Sequence, residues 1–202
     1  MDDPLPDSRS TTEAAPACAG GRADELALTG PAGALESCLT LPGEGAPRAA
    51  AVVCHPHPRF GGTMNNKVVV YLARALRRQG AATLRFNFRG VGTSRGQFAG
   101  GKGEAGDAGA ALRALAERFP DTPLWMVGFS FGAFAGLRAA ALDPGVCRLA
   151  AVAPPVDWYD FSFLEAERRP VLIAQGGHDE VVDPDSVRPF RARMERGPEW
   201  RW

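Results

Sequence analysis

The residues Gly128-Phe129-Ser130-Phe131-Gly132 set a hydroxyl between two glycines, where an apolar run (Leu124–Val127) meets a helical pattern from about Phe131 to Leu142. A sharp strand-to-helix turn forces its central residue into a strained conformation and projects the side chain from the sheet. Glycine on both sides lets such a turn close without Cβ clashes. The helix that follows aims free N–H groups and the positive end of its dipole at the place where an oxyanion would form. Small residues at Gly132, Ala133, Ala135 and Gly136 allow it to approach the sheet closely. Ser130 therefore has the setting of a nucleophile for acyl transfer.

Such a nucleophile needs an acid, a base and a second N–H donor. The apolar run Val171–Ala174 leads into Gln175-Gly176-Gly177-His178-Asp179-Glu180-Val181-Val182-Asp183-Pro184. Asp179 is the leading candidate for orienting and charging an imidazole. Asp183 is the second and also suits a helix cap, with Pro184 at the first helical position. Phe131, the residue after the nucleophile, supplies one oxyanion donor. The other is expected from the loop after the run Ala49–Val53, which reads Cys54-His55-Pro56-His57-Pro58-Arg59-Phe60-Gly61-Gly62. Pro56 and Pro58 have no N–H, which leaves His57 best placed, with Arg59 and Phe60 as alternatives. The His55-x-His57 pair has no third ligand at metal spacing, so no metal site is expected. His55 reads as a brace for its loop.

These groups need elements that bring them together. Residues 1–24 lack apolar periodicity and read as a disordered tail, leaving 25–202 as one domain. Strand-like runs then alternate with helical patterns. The strands are Glu25–Leu28, Leu35–Leu41, Ala49–Val53, Ala82–Asn87, Leu124–Val127, Leu149–Ala153 and Val171–Ala174. The helices are Asn65–Gln79, Asp107–Phe119 with Asp107 as its cap, Phe131–Leu142 and Ser186–Arg196. A Gly-rich loop is expected from Arg89 to Gly106. Alternation of fully apolar strands with helices predicts an α/β fold, a mostly parallel sheet with helices on both faces. In such sheets ligands bind beyond the carboxyl ends of the strands.

Five segments together give the chain a family resemblance. They are His55-Pro56-His57-Pro58; Gly61-Gly62-Thr63-Met64-Asn65-Asn66-Lys67; Leu84 to Ser94 (LRFNFRGVGTS); Gly128-Phe129-Ser130-Phe131-Gly132; and Asp179-Glu180-Val181-Val182. The chain resembles the alpha/beta-hydrolase superfamily, and within it a group of small lidless bacterial hydrolases. The resemblance spans about residues 25–190. It implies the alpha/beta-hydrolase fold, Ser130 as nucleophile, Asp179 as acid and no organic cofactor. The interval Pro154–Pro170 is too short for the cap domain that many relatives insert there. An open pocket for a small-molecule substrate is expected, lined by Phe60, Phe131, Trp158, Tyr159 and Phe161.

One part of the pattern is missing. The order in this fold is Ser, acid, His, yet the histidines are His55, His57 and His178, and none follows Asp179. The last residues, Met194 to Trp202, show no strand pattern. The sequence thus predicts a C-terminally truncated domain without its final strand, helix and catalytic His. It predicts Val171–Ala174 as an exposed edge open to self-association. Three readings remain: a serine hydrolase of small esters that has lost its base, one that uses His178 or His57 instead, or a non-catalytic module that binds a ligand or partner.

Composition narrows the classes. The 202 residues carry 23 basic and 23 acidic side chains, a formal net charge of zero, which argues against nucleic-acid binding. No run of about 18 apolar residues is present, so no membrane span is expected. The acidic, Pro-rich N-terminus is unlike a signal peptide, which predicts a cytoplasmic protein. Cys18, Cys38, Cys54 and Cys147 are scattered and read as reduced thiols.

Overall fold

The computed structural model of the chain describes residues 22–24, 26–43, 45–179, 181–182, 184–194 and 199–201. Its elements are β1 (Arg22–Asp24), β2 (Leu28–Gly30), β3 (Gly33–Leu35), β4 (Ser37–Leu41), β5 (Ala49–Cys54), α1 (Lys67–Arg78), β6 (Ala81–Phe86), α2 (Lys102–Arg118), β7 (Leu124–Phe129), α3 (Phe131–Ala141), β8 (Val146–Val152), β9 (Val171–Ala174), α4 (Pro184–Arg193) and β10 (Glu199–Arg201). Short 3-10 turns sit at Pro58–Phe60 and Ser162–Leu164.

Eight strands form one sheet in the order β1-β4-β6-β5-β7-β8-β9-β10. β1 and β4 are antiparallel, as are β4 and β6, and every pairing from β6 to β10 is parallel. This is the mostly parallel α/β sheet that the alternating pattern predicts. The central strands are apolar because helices cover them: all six residues of β5 are buried.

Side chains alternate across the sheet with period two. Val52, Met126, Ala151 and Ile173 enter a large core with α2 and α3. Their neighbours Val53 and Val127 enter a smaller cluster under α1 with Val69 and Ala73. In the large core Phe86, Phe88 and Phe131 are fully buried, each worth on the order of 2–3 kcal/mol.

Four expectations change. Arg22–Asp24, read as part of the tail, forms β1 against β4, while residues 1–21 lie outside the described residues. α2 starts at Lys102, well before Asp107, because Glu104 caps it from within. Its carboxylate accepts the N–H groups of Ala99 at 2.8 Å and Gly101 at 2.7 Å. Asp107 instead lies fully buried in mid-helix, where it accepts Nε and Nη2 of Arg89 at 2.9 and 2.7 Å. Gly103, which made this stretch read as loop, leaves room for the Arg89 guanidinium.

The third change is at the far edge. Val171–Ala174 is not the last strand, because β10 pairs with it in parallel, Glu199 opposite Leu172 and Trp200 opposite Ile173. Three residues suffice for that pairing and are too few to show a period in sequence. Finally, Cys38 is disulfide-bonded, whereas Cys54 and Cys147 are free thiols.

Candidate functional site

β5, β7, β8 and β9 are parallel neighbours, so their carboxyl ends open on one rim of the sheet. Ser130 follows β7 there with φ 53° and ψ −122°, a backbone conformation that costs a side-chain-bearing residue of order 1–3 kcal/mol. Two hydrogen bonds hold it. The Ser130 N–H donates to the Val152 carbonyl at 2.8 Å, and the Ser130 carbonyl accepts from Ala133 N–H at 2.8 Å. A Cβ at Gly128 would overlap the backbone of Gly132 and Ala133. A Cβ at Gly132 would stand 2.5 Å from the carbonyls of Cys54 and His55. The two glycines therefore let α3 close onto the loop after β5.

That approach brings the loop that carries His57 against Phe131. Phe131 opens α3, so its N–H has no intrahelical acceptor. The His57 N–H makes no hydrogen bond among the described residues, and the His57 ring lies 4.9 Å from the Phe131 ring. His57 caps the Pro58–Phe60 turn, its Nδ1 accepting the Arg59 N–H at 3.1 Å. Its own carbonyl accepts from Phe60 and Gly62. Burial, then the charge of Arg59, holds its pKa below the ordinary imidazole value. Because Nδ1 accepts the Arg59 N–H, the ring proton sits on Nε2.

His55 has a different task. It is fully buried, with Nδ1 donating to the Pro56 carbonyl at 2.7 Å and Nε2 accepting Phe88 N–H at 3.0 Å. Burial lowers its pKa to about 4. It ties the loop after β5 to the loop after β6 and has no ring nitrogen left for chemistry.

Asp179 lies past the end of β9. Its Oδ1 accepts the N–H groups of Val181 and Val182 at 2.9 and 3.0 Å, and its Oδ2 accepts Gln175 Nε2 at 3.1 Å. Gln175 is buried, and its Oε1 has no partner among the described residues. The carboxylate is fixed in orientation, although no imidazole meets it. His178 is exposed, and no hydrogen bond joins any of the three histidines to Ser130 or Asp179 among the described residues. The alternative acid, Asp183, lies outside the described residues.

A cavity of about 400 Å³ is lined by His57, Arg59, Phe60, Phe98, Gly100 and Tyr159, of which His57 and Tyr159 pack on Phe131, the residue after Ser130. Phe60 and Tyr159 are two of the aromatics expected there. Trp158 is 55 % exposed and does not line it. Phe161 is buried in the core against Phe134 and Phe190. Phe98 was not foreseen, since it sits in a Gly-rich loop with no pattern to mark its side. Residues 154–170 hold turns and one 3-10 turn, with no helical cap. Among the described residues no group of three His, Cys, Asp or Glu could hold a metal, and no helix is long and apolar enough to cross a membrane.

Sequence reasoning also missed two positioning groups. Buried Arg85 donates to the Met64 carbonyl at 2.7 Å, and Asn87 Oδ1 accepts Met64 N–H at 2.7 Å. These bonds dock the Gly61–Lys67 segment onto the end of β6 and the residue that follows it.

A family model described as serine aminopeptidase, S33, matches residues 45–166, more than half of the chain. The chain belongs to this alpha/beta-hydrolase family. A solved lidless alpha/beta serine hydrolase from Xanthomonas campestris is 41 % identical, with TM-score 0.82, over 89 % of this chain and 82 % of its own. An alpha-beta serine hydrolase homologue from Coxiella burnetii is 41 % identical, with TM-score 0.83, over 88 % of this chain and 85 % of its own. An uncharacterized protein of Rickettsia prowazekii is 43 % identical over 148 residues, 71 % of this chain. The match spans 62 % of that relative's length.

Proposed function

We propose that this alpha/beta hydrolase is a serine hydrolase of small esters or related acyl compounds. Ser130 Oγ attacks the acyl carbonyl, the N–H groups of Phe131 and His57 receive the oxyanion, and the leaving alcohol departs to give an acyl-Ser130 that water then cleaves. Asp179 is the acid of the triad. The observation that carries this reading is Ser130, held at positive φ between the end of β7 and the first turn of α3.

The proton on Ser130 Oγ needs a base, and no imidazole of this chain bonds to it. Loss of the base from such a triad costs several orders of magnitude in rate. A fluorophosphonate probe should label Ser130 slowly, with no labelling of Ser130→Ala. Hydrolysis of p-nitrophenyl acetate should be weak, lost in Ser130→Ala, and raised by free imidazole as a supplied base. A full ordinary esterase rate without imidazole would contradict this account of the base.

That no described imidazole bonds to Ser130 or Asp179 favours a second reading, in which the protein binds an acyl ligand at the same rim without turnover. Complete absence of Ser130 labelling in folded protein, with and without imidazole, would select it.

A further inference from the structure

Three residues lining the cavity next to Phe131 carry donors that nothing among the described residues engages. The neutral His57 ring has its proton on Nε2, because Nδ1 already accepts from Arg59 N–H. Arg59 is exposed, and its guanidinium has neither an ion pair nor a hydrogen bond among the described residues. The Tyr159 hydroxyl is likewise without a partner among them. The remaining lining is Phe60, Phe98 and Gly100, so no lining side chain is a carboxylate or an amide.

The walls are flat and apolar. The His57 ring lies 4.6 Å from Phe60 and 4.9 Å from Phe98, and Tyr159 packs on Phe131 at 5.5 Å. The nearest buried acid, Glu104, is already engaged by the N–H groups of Ala99 and Gly101. A cavity of about 400 Å³ is within the range of small-molecule sites. Aromatic walls select a flat or apolar body. Donors without acceptors, one of them a permanent cation with a forked set of N–H groups, select a carboxylate on that body.

We propose that this cavity receives the part of the substrate remote from the scissile bond, and that this part is an aromatic or other flat apolar group bearing a carboxylate. Arg59 is the specificity-determining residue and Tyr159 its hydrogen-bonding partner. The assignment names the substrate class of the hydrolase reading above and rests on it for the word substrate.

Binding can be measured without turnover. Phenylacetate and its neutral isostere phenylacetamide are titrated calorimetrically into the full chain carrying Ser130→Ala. The acid should bind about tenfold tighter than the amide or better, as expected for a charged hydrogen-bonded pair. Added salt should shrink that preference. Arg59→Gln should bring the two ligands to equal affinity, Arg59→Lys should restore part of the gap, and Phe98→Ala should weaken both. Equal binding of acid and amide, no binding of either, or an unchanged preference in Arg59→Gln would overturn the assignment. Fluorophosphonate labelling of Ser130 in the otherwise unaltered chain reads the hydrolase proposal separately. Labelling without acid preference sinks only the cavity assignment. Acid preference without labelling keeps a carboxylate site and removes the hydrolase.

Discussion

The two faces of the sheet are built from alternate residues of the same strands, yet they are unequal. On one face α2 and α3 seal a core that includes Leu112, Leu115, Met126, Leu137 and Ile173, all fully buried. On the other, α1 lies over β5 and β6 and reaches little of β8 and β9. An open hollow of about 480 Å³ remains there, lined in part by Leu76, Trp125, Arg148, Ala150 and Leu172. Arg148 partly shields it, its guanidinium 5.8 Å from the Trp125 ring. Ile173 and Leu172 are adjacent, but one is wholly buried and the other 37 % exposed. Identical backbone pairing thus supports very different packing, because burial depends on what lies above the pleat. The site is built on the sealed side, where α3 must approach the strands most closely.

The sharpest way to break this comparison is Gly132→Val. A branched side chain has no space against the Cys54 and His55 carbonyls, so the loss should exceed about 4 kcal/mol and abolish Ser130 labelling, read by thermal melts and the phosphonate probe. Next comes the pair on β9. Ile173→Ala should cost about 2–5 kcal/mol, as deep-core truncations do, whereas Leu172→Ala should stay within about 1 kcal/mol. Equal urea midpoints for the two variants would show that the faces are equally packed.

A third effect depends on pH. His55, whose ring packs on Phe88 of the sealed core, stays neutral in the fold down to about pH 4. Unfolded, it protonates near 6.5. Between those values the unfolded chain holds more protons, so stability is fully present above about pH 6.5. It falls by about 3 kcal/mol as pH drops to 4. Urea melts across this window should show the slope, and His55→Asn, which cannot titrate, should lose that share of it. The smallest effect belongs to the solvent-facing pair Arg118–Asp24 at 2.9 Å, where Asp24→Asn should change stability by less than about 1 kcal/mol.

Sequence legibility followed the same division. Fully apolar runs such as Ala49–Val53 and Leu124–Val127 revealed the sheet, because burial on both faces leaves no polar alternation. The Ser130 turn was readable because its glycines answer a steric need that composition alone seldom meets. Glycines also misled: Gly103 and Gly106 made the first turn of α2 look like a loop, although Gly103 is there to admit Arg89. Local pattern could not reveal β10, three residues long and defined only by pairing with β9. It could not reveal Phe98 either, whose place in the cavity comes from a loop folded over α3. The motifs around Arg85 and Asn87 were visible as a resemblance, but their docking role depends on bonds to Met64 some 20 residues away in sequence.

Among the described residues Ser130 and Ala153 are the two non-glycines at positive φ. Ser130 N–H bonds to the carbonyl of Val152, and Ala153 N–H bonds to that of Ala174, each at 2.8 Å. The ends of β7, β8 and β9 are laced in series, and Asp179 follows directly on the last link. Neither kinked residue can relax while the next strand stays in register. The conformation of Ser130 is therefore tied to the pairing of β8, and through Ala153 to that of β9. In hydrogen exchange the Ser130 and Ala153 amides should open together as one cooperative unit, and a slip of β9 should silence the serine without touching it.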